Sequence, residues 1–116
     1  MKRIWILCLA SIIFSGCATK PIDYYYGKYE KRYYHSKKDG TPGSIADYKG
    51  ALEDVIQTSK EKGLRVPPGI YCEYGYLLAK QGNPESERYF DLEITTYPES
   101  ARFVALVRSQ LKQKQT

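Results

Sequence analysis

The chain is 116 residues long, with 18 lysines and arginines against 13 acids and a formal charge of +5. That length holds one domain, because two would each fall below the size at which a core offsets the entropy of ordering the chain. Lys2 and Arg3 account for part of the positive balance, and the remainder is an ordinary mixed surface with no long basic block of the kind that grips nucleic acid.

Lys2 and Arg3 precede an apolar run over residues 4–14, the pattern of a secretory signal. As a helix, at about 1.5 Å per residue, the run reaches about half of the roughly 30 Å of a bilayer core, too little for a lasting span. Phe14-Ser15-Gly16-Cys17 resembles the lipobox of bacterial lipoproteins, although the first position is more usually leucine. The resemblance implies cleavage before Cys17, a diacylglyceryl thioether on its sulfur and an acyl chain on its new amine. Several chains together make a stable anchor where one would be marginal. In that family a residue other than aspartate after the cysteine, here Ala18, implies delivery to the outer membrane. The expected organisation is a signal peptide at residues 1–16, the lipidated cysteine and a short tether at 17–23, and a domain at 24–116. With Cys8 removed and Cys17 carrying lipid, Cys72 stands alone and no intramolecular disulfide is expected.

The domain opens on YYYGKYEKRYYHSKKDG. Tyr26, Tyr29, Tyr33 and Tyr34 fall at helical spacing, which predicts a first helix over about residues 25–38, stopped by Gly40 and Pro42. A strand competes, because tyrosine favours sheets. Ser44-Ile45-Ala46-Asp47 is a capping-box-like start for a second helix. Ile45, Tyr48, Leu52, Val55 and Ile56 trace its inner face, and Gly63 closes it. Beyond the linker LRVPPG, a third helix carries Ile70, Tyr71, Tyr74, Leu77 and Leu78 and ends at Gly82. Asn83 and Pro84 restart the chain as cap and first helical residue. The fourth helix then turns Tyr89, Phe90, Ile94 and Tyr97 inward until Pro98 breaks it. Ala101, Val104, Val107 and Leu111, with Phe103 beside them, mark a fifth helix that frays into the polar tail at 112–116. The expected fold class is all-α, built from antiparallel helical hairpins.

Residues 71–98 resemble one tetratricopeptide repeat (TPR). Its W-x2-L-G-x2-Y, A-x3-F and closing P pattern is met by Tyr71, Tyr74, Gly75, Leu78, Ser86, Phe90 and Pro98. The resemblance implies that Gly75 and Ser86 let the paired helices approach closely, that the first two helices form a divergent repeat, and that the fifth is a cap. Two departures stand out: the inter-helix turn is one residue short, and Glu93 occupies a place where a small residue is usual. The same resemblance puts Cys72, Tyr76, Ala79 and Lys80 on the side where such proteins hold peptides. The stretches YYYGKYEKRYY, VPPGIYCEYGYLLAKQGN and YPES make the whole mature chain similar to a family of small proteobacterial outer-membrane lipoproteins with a TPR-like domain of unknown function. These are typically encoded beside a CsgG-type, curli-secretion-like lipoprotein. That likeness implies an accessory role in an envelope complex, with a CsgG-type lipoprotein as the partner to expect.

No residue set supports a reaction. His35 is the only histidine, which excludes a multi-histidine zinc site, and a Cys72–His35 pair would lack an orienting third group and an oxyanion site. No phosphate loop or nucleophile-elbow pattern occurs, so no catalytic residue, metal or cofactor is expected. Glu85, Glu87, Asp91 and Glu93 read as a solvated face, and the plain reading of Cys72 is a small buried side chain. Tyr71, Tyr74, Tyr89 and Tyr97 read as core residues with their hydroxyls at its edge. Tyr25, Tyr26, Tyr29, Tyr33 and Tyr34 have no aliphatic partners among them and suit either core or docking; Tyr26, Tyr29 and Tyr33 are the candidate aromatic docking face. The function expected is that of a lipid-anchored, periplasm-facing interaction module in a lipoprotein assembly or export complex. The alternative is a structural envelope lipoprotein associated with peptidoglycan or with other lipoproteins.

Overall fold

The computed structural model describes residue 16 and residues 23–115. The signal segment up to residue 15, Cys17 and the tether to residue 22 lie outside the described residues, as does Thr116. Among the described residues there are five α-helices and no strand: α1 (Tyr29–Asp39), α2 (Pro42–Glu61), α3 (Ile70–Lys80), α4 (Ser86–Thr96) and α5 (Ala101–Gln115), with a 3-10 turn at Pro98–Ser100. None of these helices is long and apolar enough to cross a membrane. α1 packs on α2 and α3 on α4 as antiparallel hairpins, α2 joins the two hairpins by packing on α3, and α5 lies against α3 and α4. The all-α hairpin architecture read from the sequence is therefore the observed one.

Several boundaries move from their expected places, each for a local reason. α1 begins at Tyr29, not at residue 25, because Gly27 has φ 51° and cannot continue a right-handed helix. Its Cα lies so close to Asp54 and Tyr25 that an added Cβ would stand 2.7 Å from Asp54 Oδ2. Here the Tyr25 hydroxyl donates to Asp54 at 3.0 Å. α2 begins at Pro42, ahead of the expected Ser44. Thr41 is its cap, with Oγ1 accepting from Ser44 N–H at 3.2 Å, and Pro42 has the fixed φ and missing N–H that suit the first helical position. Ile45, expected on the inner face, is 38% exposed. A 20-residue α2 is about 30 Å long against about 16 Å for α3, so its first turns overhang the core. At the other end of the chain α5 stays helical to Gln115, since the lysines and glutamines expected to fray are good helix formers.

α3 and α4 are joined by a turn that satisfies the last carbonyls of α3. Gly82 N–H bonds to Ala79 O and Asn83 N–H to Leu78 O, each at 3.0 Å, and Gly82 supplies the left-handed φ of 70° that this closure requires. α4 starts at Ser86, two residues after Pro84, with the Asn83 side chain accepting from Glu85 N–H at 2.9 Å.

Two apolar clusters hold the layers. Tyr48, Leu52, Val55 and Ile56 of α2 meet Ile70, Tyr71, Tyr74 and Leu78 of α3, with Val66 from the linker. Cys72, Phe90, Val104 and Leu111 form the second cluster between α3, α4 and α5. Tyr71, Tyr74 and Tyr97 are buried and Tyr89 is half-buried, as expected of core tyrosines. Tyr74 donates to Glu53 at the edge at 2.7 Å, whereas the Tyr97 hydroxyl bonds inside the core, to Val66 O at 2.7 Å.

Gly75 carries the close approach of α3 to α4. A Cβ there would lie 3.0 Å from Ser86 O and 3.1 Å from the Phe90 ring, so Gly75→Ala should destabilise the domain by about 1–3 kcal/mol. Gly50, inside α2 with open space around it, should respond oppositely, Gly50→Ala stabilising by about 0.5–1 kcal/mol. Urea unfolding of the two variants checks the pair; equal shifts of the same sign would contradict the packing described.

Candidate functional site

The linker VPPG leaves α3 without a side-chain cap of its own: Gly69 precedes it in a left-handed conformation, φ 88°. The cap comes from α4. Glu93, 1% exposed, accepts Gly69 N–H at 2.8 Å and Cys72 N–H at 3.3 Å, and the Ser100 hydroxyl approaches it at 3.4 Å. Its negative charge thus sits at the positive end of the α3 dipole. Glu93 is accordingly no part of a solvated face, and this corrects the expectation for that residue. The other three acids are exposed but engaged: Glu87 and Asp91 each hold Arg108 of α5 at 2.8 Å, and Glu85 lies 3.5 Å from Arg88.

With α3 fixed in this way, its opposite face forms the floor of a cleft of about 210 Å³. α1 contributes Tyr33 and Lys37, α3 contributes Cys72, Glu73, Tyr76 and Leu77, α5 contributes Phe103 and Val107, and Tyr48 of α2 closes the back. Phe103 is 60% exposed and Tyr33 40%. Glu73 is the charged group of the floor. It accepts the Tyr29 hydroxyl at 2.9 Å on both oxygens and the Tyr48 hydroxyl on one. Burial, and then these bonds to the carboxylate, push both phenols well above the ordinary tyrosine value, so both remain neutral donors at physiological pH. Tyr29 stacks on Tyr33 at 5.9 Å, and Tyr33 meets Tyr48 edge-on at 5.6 Å.

The candidate groove of Cys72, Tyr76, Ala79 and Lys80 is divided by the structure. Cys72 and Tyr76 line the cleft, whereas Ala79 packs into the second apolar cluster and Lys80 is exposed near Leu111 and Lys114. Both positions lie further along α3, beside Leu111 of α5 and beyond the residues that line the cleft. The candidate docking tyrosines divide too. Tyr33 lines the cleft, Tyr29 stands behind it holding Glu73, and Tyr26 is exposed, 6.2 Å from the Tyr29 ring and outside the cleft. Cys17 lies outside the described residues.

Lys37, Tyr48, Glu73, Leu77, Phe103 and Val107 were not among the candidates. A lone acid in the apolar run IYCEYGYLL was the signal available for Glu73. For Glu93 the signal was its replacement of a small residue. Phe103 and Val107 had no local signal, because only the docking of α5 brings them to α3.

Burial, followed by the charges of Glu93 and Glu73, pushes the Cys72 thiol up to about 11, so it is protonated at neutral pH and packs as a small apolar side chain. His35 lies on α1 beside Asp39 at 3.9 Å and is not among the cleft residues. Among the described residues no group of three or more His, Cys, Asp or Glu could hold a metal ion.

Glu93→Ala leaves two helix N–H groups without their charged acceptor and should cost about 3 kcal/mol, or about 10–20 °C in Tm, with Glu93→Gln recovering part of it. A Tm within a few degrees of the parent for the alanine variant would refute the capping role. The raised thiol sets a pH dependence. An unfolded chain ionises Cys72 from about pH 9, while the folded one keeps its proton to about 11. Stability is therefore level below pH 9 and falls as pH rises through that window, by about 2–3 kcal/mol from this group. Denaturant titrations at stepped pH check it, and Cys72→Ala should flatten the early part of the fall.

In comparison with known families, the one described as "Domain of unknown function (DUF4810)" matches residues 24–107. No curated protein and no solved structure matches the chain.

Proposed function

The chain belongs to the DUF4810 family, and we propose that it is an outer-membrane lipoprotein whose helical domain faces the periplasm and docks a segment of a protein partner in the cleft between α1, α3 and α5. The anchor is Cys17, and the partner proposed is a CsgG-type lipoprotein within an assembly or export complex. One observation carries the docking reading: the first helices of both hairpins and α5 converge on a single concave surface that exposes large apolar rings at Tyr33 and Phe103. Aromatic side chains held half-wet at a concavity gain from a partner that covers the ring and leaves the polar edge in water. A cleft floored by a protonated, buried thiol and by a carboxylate fixed between two phenols suits binding, and we assign the protein no chemical step.

The test is a photo-crosslinking amino acid placed at position 103 of the full-length chain in living cells, with a second at Lys60 on an exposed part of α2 as the control. A lipoprotein adduct from position 103, absent from position 60, is the expected result. Cys17→Ser should at the same time shift the chain out of the outer-membrane fraction. Recovery of the monomer alone would defeat the docking reading, and an adduct with peptidoglycan instead would favour a structural role at the cell wall.

A further inference from the structure

The geometry points to an arginine or lysine side chain of a polypeptide partner as the occupant of the cleft, seated between Tyr33, Tyr76 and Phe103 with its charge directed at the Glu73 carboxylate. The inference rests on the docking reading above and supplies the chemistry of what is docked.

Glu73 lines the cleft and is half-buried, and its donors among the described residues are the neutral phenols of Tyr29 and Tyr48. Among the described residues no lysine or arginine forms an ion pair with it. Tyr29 and Tyr48 satisfy part of its hydrogen-bonding capacity but none of its charge, and a carboxylate offers about four acceptor sites. Covering it with an apolar side chain would leave an uncompensated charge under a desolvating lid. An anionic occupant would add repulsion. A cation removes both penalties and also meets the aromatic walls, whose ring faces attract positive charge.

The protein already shows that attraction at the mouth of the cleft. Lys37, exposed on α1, holds its ammonium 5.4 Å from the Tyr33 ring centroid, although it makes no ion pair with Glu73. Lys37 thus already stands over one wall of the cleft and competes for the same site, while no cation among the described residues pairs with Glu73. A cleft of about 210 Å³ has room for one long side chain.

The experiment uses the full-length chain in detergent micelles, titrated with the blocked pentapeptide Gly-Gly-Arg-Gly-Gly and with its lysine, norleucine and glutamate counterparts, following the ring signals of Tyr33 and Phe103 by NMR. The arginine and lysine peptides should bind saturably and more weakly as salt rises, with the norleucine and glutamate peptides at least about tenfold weaker. Glu73→Gln should lose about tenfold for the arginine peptide and Phe103→Ala about threefold, whereas Lys37→Ala should tighten binding by about twofold. Norleucine binding as well as arginine, or a folded Glu73→Gln variant binding arginine as the parent does, would overturn the inference. If Glu73→Gln unfolds, the surface variants decide, and unchanged affinity in both Phe103→Ala and Lys37→Ala would overturn it equally. A partner adduct from position 103 without arginine selectivity defeats this inference and leaves docking standing; absence of both defeats docking as well.

Discussion

Glu93 reaches from the fourth helix to the first turn of the third, and the rest of the fold is arranged around that contact. A buried carboxylate left alone would be costly; here it accepts the N–H groups of Gly69 and Cys72 at the positive end of a helix. The bond also settles the pairing of the second hairpin. α3 must lie with its N-terminus beside the C-terminal half of α4, and Gly75 must pass against Ser86 and Phe90 at the closest distance its missing side chain permits. Ser100 joins the same carboxylate, so the turn that launches α5 is held by the group that starts α3.

A second carboxylate, Glu73, does for the N-terminal hairpin what Glu93 does for the other. Two tyrosine hydroxyls, Tyr29 on α1 and Tyr48 on α2, converge on it, linking three helices through one residue. The consequence for function is that α1 and α3 face each other across a concavity instead of closing on it. Arg108, gripped by Glu87 and Asp91 while covering the Phe90 ring at 5.4 Å, sets α5 as the third wall. The cleft is thus bounded by helices pinned through charged and phenolic groups, which hold direction better than apolar contacts alone.

Much of this was legible along the chain because helix periodicity and helix punctuation are local. The last four helices, their order, and the stops at Gly40, Gly63 and Gly82 follow from spacing and from what glycine and proline do to a backbone, whereas the role of Gly75 comes from the repeat resemblance and the first helix competes with a strand. Boundaries shifted where a second local effect prevailed, as when Thr41 and Pro42 claimed the start of α2 ahead of Ser44. The cleft was legible only in part. Cys72, Tyr76 and Tyr33 lie on it, but a helical stripe specifies a face and says nothing of where along that face a neighbouring helix will cross. The docking of α5 puts Phe103 and Val107 on the cleft and sets Leu111 beside Ala79, beyond its lining.

By itself the sequence determined an all-helical domain of stacked hairpins and which side of most helices turns inward, because those properties depend on residues three or four positions apart. The tertiary structure decided that the two acids Glu73 and Glu93 serve as internal fixtures instead of surface charge, and that an aromatic cleft opens between α1, α3 and α5 with a carboxylate that no cation among the described residues pairs with. The hydrogen bonds from Tyr29 to Glu73 and from Cys72 to Glu93 join residues 44 and 21 positions apart in the chain, and whether a charge is solvated or buried there is set by what packs over it.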